Sequence, residues 1–115
     1  MIDVYGIRNC DTVKKARDWL DGKGIEYRFH DFKLEGIDAK TAARWMKALG
    51  RDTVINRRGT TWRKLSPAQQ AMDSDAAAVS LVMAQPSLVK RPVIDTGKTL
   101  TVGFGDEQRQ ALDAL

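Results

Sequence analysis

The chain has one cysteine, Cys10, and one histidine, His30. One thiol cannot make an internal disulfide framework or a cysteine-based zinc site, and a single histidine does not complete a metal set, so no metal is expected. No apolar run approaches the roughly 20 residues that span a bilayer, and no membrane association is expected. No Lys/Arg run is long enough to read as a nucleic-acid arm. The net charge of +4 and pI near 9.4 permit an anionic partner, but a nucleic-acid partner is not expected. Low-complexity segments and internal repeats are also lacking. A lone cysteine without a signal-peptide pattern fits a reducing cytosol, so a cytoplasmic location is expected.

What is present describes an ordinary globular protein. Its 115 residues suffice for one domain with an unstapled core. An apolar fraction of 43% and a charged fraction of 30% suit such a domain.

The most informative stretch is residues 4–20, VYGIRNCDTVKKARDWL. Ile2 to Tyr5 reads as a short strand, and Gly6–Asn9 as a turn. Val13, Ala16, Trp19 and Leu20 then recur on one face of a helix, with Lys14, Lys15, Arg17 and Asp18 opposite. Asp11 and Thr12 are expected to supply first-turn capping, and Gly22 and Gly24 to end the helix. Cys10 falls where the helix begins. Unpaired N–H groups and a partial positive charge collect there and favour a thiolate, the nucleophilic form of cysteine. A buried structural cysteine is the alternative, but the polar flanks Arg8, Asn9, Asp11 and Thr12 favour an exposed, reactive thiol.

Residues 25–32 alternate, with Ile25, Tyr27 and Phe29 on one face and Glu26, Arg28 and His30 on the other, and predict a second strand. The order is βαβ, which implies parallel strands and a right-handed crossover. His30 is expected mid-strand, facing solvent and away from the sheet end that carries Cys10. That placement argues against a general base.

A second helix is expected from Asp38, as N-cap, to Leu49, with Ala42, Trp45, Met46 and Leu49 as its apolar stripe and Gly50 as its stop. Thr53–Asn56 reads as a short turn or a single helical turn. The segment NRRGTTWRKL gathers Arg57, Arg58, Arg63 and Lys64 around Trp62, and a solvated surface is the ordinary fate of such charge. Ser66 and Pro67 start another helix as N-cap and first residue. Ala76–Gln85 is helical, with Val79, Val82 and Met83 apolar, and Pro86 breaks it. Val93–Asp95 and the TLTVGF segment, joined at Gly97–Lys98, predict an antiparallel hairpin. A final helix is expected over Asp106–Leu115, with Ala111, Leu112 and Leu115 apolar. The expected architecture is α/β: a mixed four-stranded sheet of thioredoxin type, one domain over residues 1–115, with a helical insertion at about 36–88 between its βαβ and ββα halves.

Several motifs in order carry a resemblance. The chain resembles the ArsC/Spx family of thioredoxin-like proteins, in particular its YffB-like branch. The segment YGIRNCDTVKKA is similar to the family's active-site loop and places Cys10 as the catalytic cysteine. VINRRG is similar to the segment that carries an active-site arginine, which maps to Arg57. LVKRPV maps a second arginine to Arg91 and a cis-proline to Pro92, and TVGFG is a YffB-like ending. Two departures are informative. Position 13 is Val13, so the dithiol switch of Spx regulators is absent. No arginine stands at Val102–Gly105, where arsenate reductases of the family place a third.

The resemblance implies a monothiol enzyme of the arsenate reductase-like family. A monothiol needs an external resolving thiol, and the family implies glutathione as co-substrate. Cys10 would attack a disulfide or an oxidised substrate, and glutathione would resolve the mixed disulfide. Arg57, Arg91, Asn9 and Thr12 are implied to steady the thiolate and substrate, and Lys90, Arg91 and Pro92 to bind glutathione. Two alternatives stay open. One is arsenate or other oxyanion reduction by the same sulfur. The other is a non-enzymatic, Spx-like module that binds a protein partner.

Overall fold

In β1 (Ile2–Gly6) burial alternates residue by residue, with Ile2, Val4 and Gly6 buried and Asp3 and Tyr5 half-buried. This is the period of a strand with one face on a core. The computed structural model describes residues 2–115. It divides into two compact units, one comprising the chain up to Glu35 together with Arg91–Leu115, the other Gly36–Lys90.

The first unit holds a mixed sheet of four strands in the order β2-β1-β3-β4, built from β1, β2 (Tyr27–Asp31), β3 (Val93–Asp95) and β4 (Leu100–Val102). β1 and β2 are parallel, and β1–β3 and β3–β4 are antiparallel. The expected thioredoxin-type sheet is therefore formed. Helix α1 (Asp11–Gly22) and the last helix, α8 (Asp106–Asp113), pack on one face. Leu20 and Leu112 join Ile2, Val4 and Ile94 in a cluster edged by Trp19, Ile25, Tyr27, Phe29 and Phe104. Full burial of a side chain such as Leu20 contributes about 1.5–3 kcal/mol. Helix α1 ends as the glycines suggested. Gly24 takes φ +69, and the N–H groups of Lys23, Gly24 and Ile25 close onto the carbonyls of Trp19, Asp21 and Leu20.

Three local expectations change. Asp11 and Thr12 lie inside α1, and the N-cap is Cys10 itself, in extended conformation. The second strand starts at Tyr27 rather than Ile25 and stops at Asp31, where a single helical turn, α2 (Phe32–Glu35), begins. His30 is one residue from the end of β2, opposite Tyr5, and is half-buried rather than solvent-facing. Its ring stacks on Tyr5 with centroids 4.6 Å apart, and its Nε2 lies 2.8 Å from Asp3 Oδ1.

The second unit is helical: α3 (Ala39–Leu49), α4 (Arg51–Val54), α5 (Thr60–Arg63), α6 (Pro67–Ala71), α7 (Asp75–Ala84) and a 3-10 turn at Pro86–Leu88. Asp38 caps α3 by accepting from Thr41 N–H at 2.7 Å, and Ser66 and Gln69 form a reciprocal capping box at α6. Helix α3 packs on α7, and Ala42, Trp45 and Met46 on the first and Ala78, Leu81 and Val82 on the second are buried. Met83 is 44% exposed, because it lies one residue, about 100° of helix, beyond the buried pair Leu81–Val82. The basic stretch NRRGTTWRKL contains α5.

The chain closes with the hairpin β3–β4, turned at Gly97 (φ +86), and α8 (Asp106–Asp113). Leu115 lies past the end of α8 and is 56% exposed, while Leu112 is buried.

Candidate functional site: one sheet end around a single thiol

Sheet register decides which predicted residues share a place. The last pair of β1 and β2 is Gly6 opposite Asp31, and Tyr5 of β1 stands opposite Val93, the first residue of β3. The turn from Gly6 to Cys10, the carboxylate of Asp31 and the Arg91–Pro92 step thus lie at the same end of the sheet. The Arg91–Pro92 peptide bond is cis. Pro92 offers no N–H, and its carbonyl accepts from Gly103 N–H at 2.8 Å. Residues 102–105, the stretch the resemblance assigns to a third arginine, lie beside β3 and Pro92 and read Val-Gly-Phe-Gly.

The turn that carries Cys10 is built from main-chain bonds. Cys10 N–H donates to the Ile7 carbonyl at 3.2 Å, and the Cys10 carbonyl accepts from Lys14 N–H at 3.0 Å, opening the ladder of α1. The Cys10 thiol is free, half-buried and not used as a cap. Asn9 is exposed, and Thr12 is half-buried in the first turn of α1. Gly6 is buried against Val13, so the two ends of the turn are in contact.

Asp31 went unrecognised in the sequence, where it was read as one more strand residue. It is 5% exposed, and its carboxylate accepts three main-chain N–H groups. Oδ2 takes Arg8 N–H at 3.1 Å, and Oδ1 takes Lys33 N–H at 3.0 Å and Leu34 N–H at 3.3 Å. Asp31 N–H in turn donates to Glu35 Oε2 at 3.2 Å. The signal was available in part: Asp at the close of the alternation is a residue type that favours a helix N-cap.

Toward the opposite end of β1, three residues before Gly6, Asp3 collects charge. It accepts from Arg28 Nε at 2.9 Å and Nη2 at 3.1 Å and pairs with His30. Partial burial pushes its carboxyl up, but the bonds to His30 and Arg28 outweigh that and hold it below its ordinary value. A surface groove lined by Arg17, Gly24, Tyr27 and Phe29 lies toward the other end of β2 and is no part of this site.

Arg57 and Lys90 belong to the second unit. Ile55 and Val89 form an antiparallel bridge there, flanked by Asn56 N–H to the Leu88 carbonyl at 2.7 Å and Lys90 N–H to the Val54 carbonyl at 2.8 Å. The segments that end in Arg57 and Lys90 are therefore stitched together. The exposed Arg57 guanidinium pairs with Asp52 and stands 5.3 Å from the centroid of the Trp62 ring. Trp62 is half-buried beneath it. Among the described residues, no group of three or more His, Cys, Asp or Glu side chains is placed to hold a metal ion. Nor is any helix among them long and apolar enough to cross a membrane.

Known proteins share this arrangement. The YFFB protein, of solved structure, is 48% identical, with a TM-score of 0.90 over 96% of this chain and 97% of its own. An arsenate reductase (ArsC) related protein from Brucella melitensis is 47% identical, with a TM-score of 0.75 over 99% and 95%. The global transcriptional regulator Spx of Listeria innocua is 28% identical over 94% of this chain and 83% of its own. The ArsC family model matches residues 5–112, from the strand before Cys10 to the last buried leucine, and this chain belongs to the ArsC family.

Proposed function

We propose that this ArsC-family chain is a cytoplasmic, glutathione-dependent thiol–disulfide oxidoreductase with Cys10 as its nucleophile. The observation that carries the reading is the placement of the only thiol. It sits half-buried at the start of α1, unused as a cap, at the sheet end shared with Pro92. The first N–H groups of α1 favour negative charge at that place.

The Cys10 thiolate attacks one sulfur of a substrate disulfide. A Cys10–substrate disulfide forms, the substrate S–S bond breaks, and the leaving thiolate takes a proton. A glutathione thiolate then attacks the substrate sulfur of the mixed disulfide, releasing Cys10 as thiolate and leaving the substrate glutathionylated. A second glutathione reduces that product, so two glutathiones supply the two electrons and leave as glutathione disulfide. Lys90 and Arg91 directly precede Pro92 in sequence and offer cations to the glutathione carboxylates, as does Arg57. Asn9, next to Cys10 in sequence, and Thr12, in the first turn of α1, are assigned to steady the thiolate.

The test is turnover of 2-hydroxyethyl disulfide with glutathione, followed for the native chain and Cys10→Ser. Turnover by the native chain and its loss in the variant are expected. Equal turnover by both would sink the reading. Arsenate in place of the disulfide is expected to give little turnover, because Val102–Gly105 provides no third arginine.

A second reading, an Spx-like protein-binding module, is favoured by one observation. No Asp or Glu stands between Asp52 and Asp73, and that span carries Arg57, Arg58, Arg63 and Lys64, all exposed. Partner capture that persists in Cys10→Ser would support it.

A further inference from the structure

We infer that Asp31 is the positioning residue of the thiol: its buried carboxylate clamps the Cys10 turn to the end of β2. The inference rests on the reading of Cys10 as nucleophile.

The geometry separates two tasks between two oxygens. Oδ1 takes both Lys33 and Leu34 N–H and so caps α2, whereas Oδ2 takes Arg8 N–H alone. Arg8 is two residues before Cys10, and its neighbour Ile7 provides the carbonyl that receives Cys10 N–H. A side-chain bond to the main chain of the turn thus comes from β2, 23 positions away in sequence. A carboxylate held among three N–H donors is a charge-assisted, directional anchor. At 5% exposure its oxygens are shielded from competing water. It fixes where the turn leaves the sheet, and hence where the thiol sits relative to the first N–H groups of α1.

Asp31→Asn divides the two tasks. The amide has one acceptor oxygen. Facing it toward Lys33 and Leu34 keeps two bonds, and this leaves the amide NH₂ against Arg8 N–H, donor against donor. The helix cap survives and the clamp is lost. The change also removes a negative charge near the turn. Charge removal by itself would ease thiolate formation and move the alkylation profile to lower pH, whereas a thiol released from its place at the helix start moves it to higher pH. The sign of the shift therefore tells positioning from simple field.

The experiment measures two things on the full chain. The first, on the native protein, is amide exchange by NMR. Arg8 N–H is expected to be protected like Lys33 and Leu34, with roughly tenfold or greater loss at Arg8 alone in Asp31→Asn. The second is the rate of Cys10 alkylation by iodoacetamide against pH, beside turnover with glutathione and 2-hydroxyethyl disulfide. A midpoint moved to higher pH in Asp31→Asn, with the melting temperature kept within a few degrees, supports the clamp. An Arg8 amide in the native chain that exchanges as freely as that of exposed Asn9 overturns it, whether or not the variant folds. So does an alkylation profile unmoved or moved to lower pH. If the native chain shows no turnover while the alkylation shift is present, the clamp stands and the glutathione reading falls.

Discussion

Gly6 and Val13 touch across the turn that carries Cys10. A methyl group on Gly6 would lie 2.7 Å from Val13 Cγ2 and 3.1 Å from its Cγ1. Val13 is fully buried and stiff at χ1, so its methyls cannot swing away. The last residue of β1 must be glycine if α1 is to start this close to the strand, and that closeness sets Cys10 at the junction.

Gly6→Ala is accordingly expected to destabilise the fold by about 1–3 kcal/mol, the usual range for overpacking. In a chain of this size each kcal/mol lowers the melting temperature by about 4–8 °C. Val13→Ala in the same chain makes room for the new methyl. The double variant should therefore lose less than the two single losses summed, read by urea titration. Simple additivity would show that the contact does not restrict the turn.

Cys10→Ser is expected to remove glutathione-dependent turnover while changing stability by no more than about 0.5 kcal/mol, because the thiol fills no cap and anchors no core. Mass spectrometry should find one glutathionyl group on the native chain after exposure to glutathione disulfide and none on the variant. A modified Cys10→Ser chain would place the chemistry elsewhere.

Arg57 is engaged by Asp52 and lies over Trp62, so its availability to a ligand is a matter of competition. Arg57→Ala should raise the KM for glutathione by about tenfold, the worth of one hydrogen bond to a charged group. Asp52→Asn should lower that KM by releasing the guanidinium. Stability should change by less than about 1 kcal/mol in either variant, since the pair is exposed. A KM indifferent to both substitutions removes Arg57 from the site.

Acid should weaken the first unit through Asp3. Its carboxyl titrates lower in the folded chain than in the unfolded one, owing to His30 and Arg28. The unfolded chain therefore binds the proton first, and the stabilisation is fully present above the ordinary carboxylate range. It fades as pH falls from about 4 through the folded value. Asp3→Asn should lower the melting temperature at pH 6 and flatten the slope between about pH 4 and pH 2, followed by circular dichroism. A variant that keeps the native slope would move the acid sensitivity to other groups.

How much of this was legible in the sequence follows from what each signal measures. Helices α1, α3 and α6 were visible because their stripes, caps and glycines act within a few residues. The hairpin was visible because Gly97 is a local turn signal. The ends of α7 and α8 were less so. Met83 and Leu115 are apolar, and hydrophobicity does not say which side of a helix finds a neighbour. His30 was misplaced because its position depends on register. The alternation of residues 25–32 gives a strand its faces but not its alignment, and only pairing with β1 sets His30 opposite Tyr5 and one residue from the Cys10 end. Asp31 was missed for a related reason, since an acid at the close of a strand looks like surface until Arg8 N–H is brought to it.

The sequence by itself determined the chemistry available: one thiol at a helix start, no partner thiol at Val13, no arginine at residues 102–105, and an order of elements that builds a four-stranded mixed sheet. Those are properties of composition and short-range pattern, and they survive without knowledge of any distant contact. Tertiary structure alone decided where that chemistry stands. Strand register brought Gly6, Asp31 and Pro92 to one sheet end, main-chain pairing of Ile55 with Val89 tied the segments bearing Arg57 and Lys90, and the Asp31 carboxylate took the Arg8 N–H of the turn. Each of these joins residues that are far apart in the chain, so the backbone partners that fix them do not exist until the fold does.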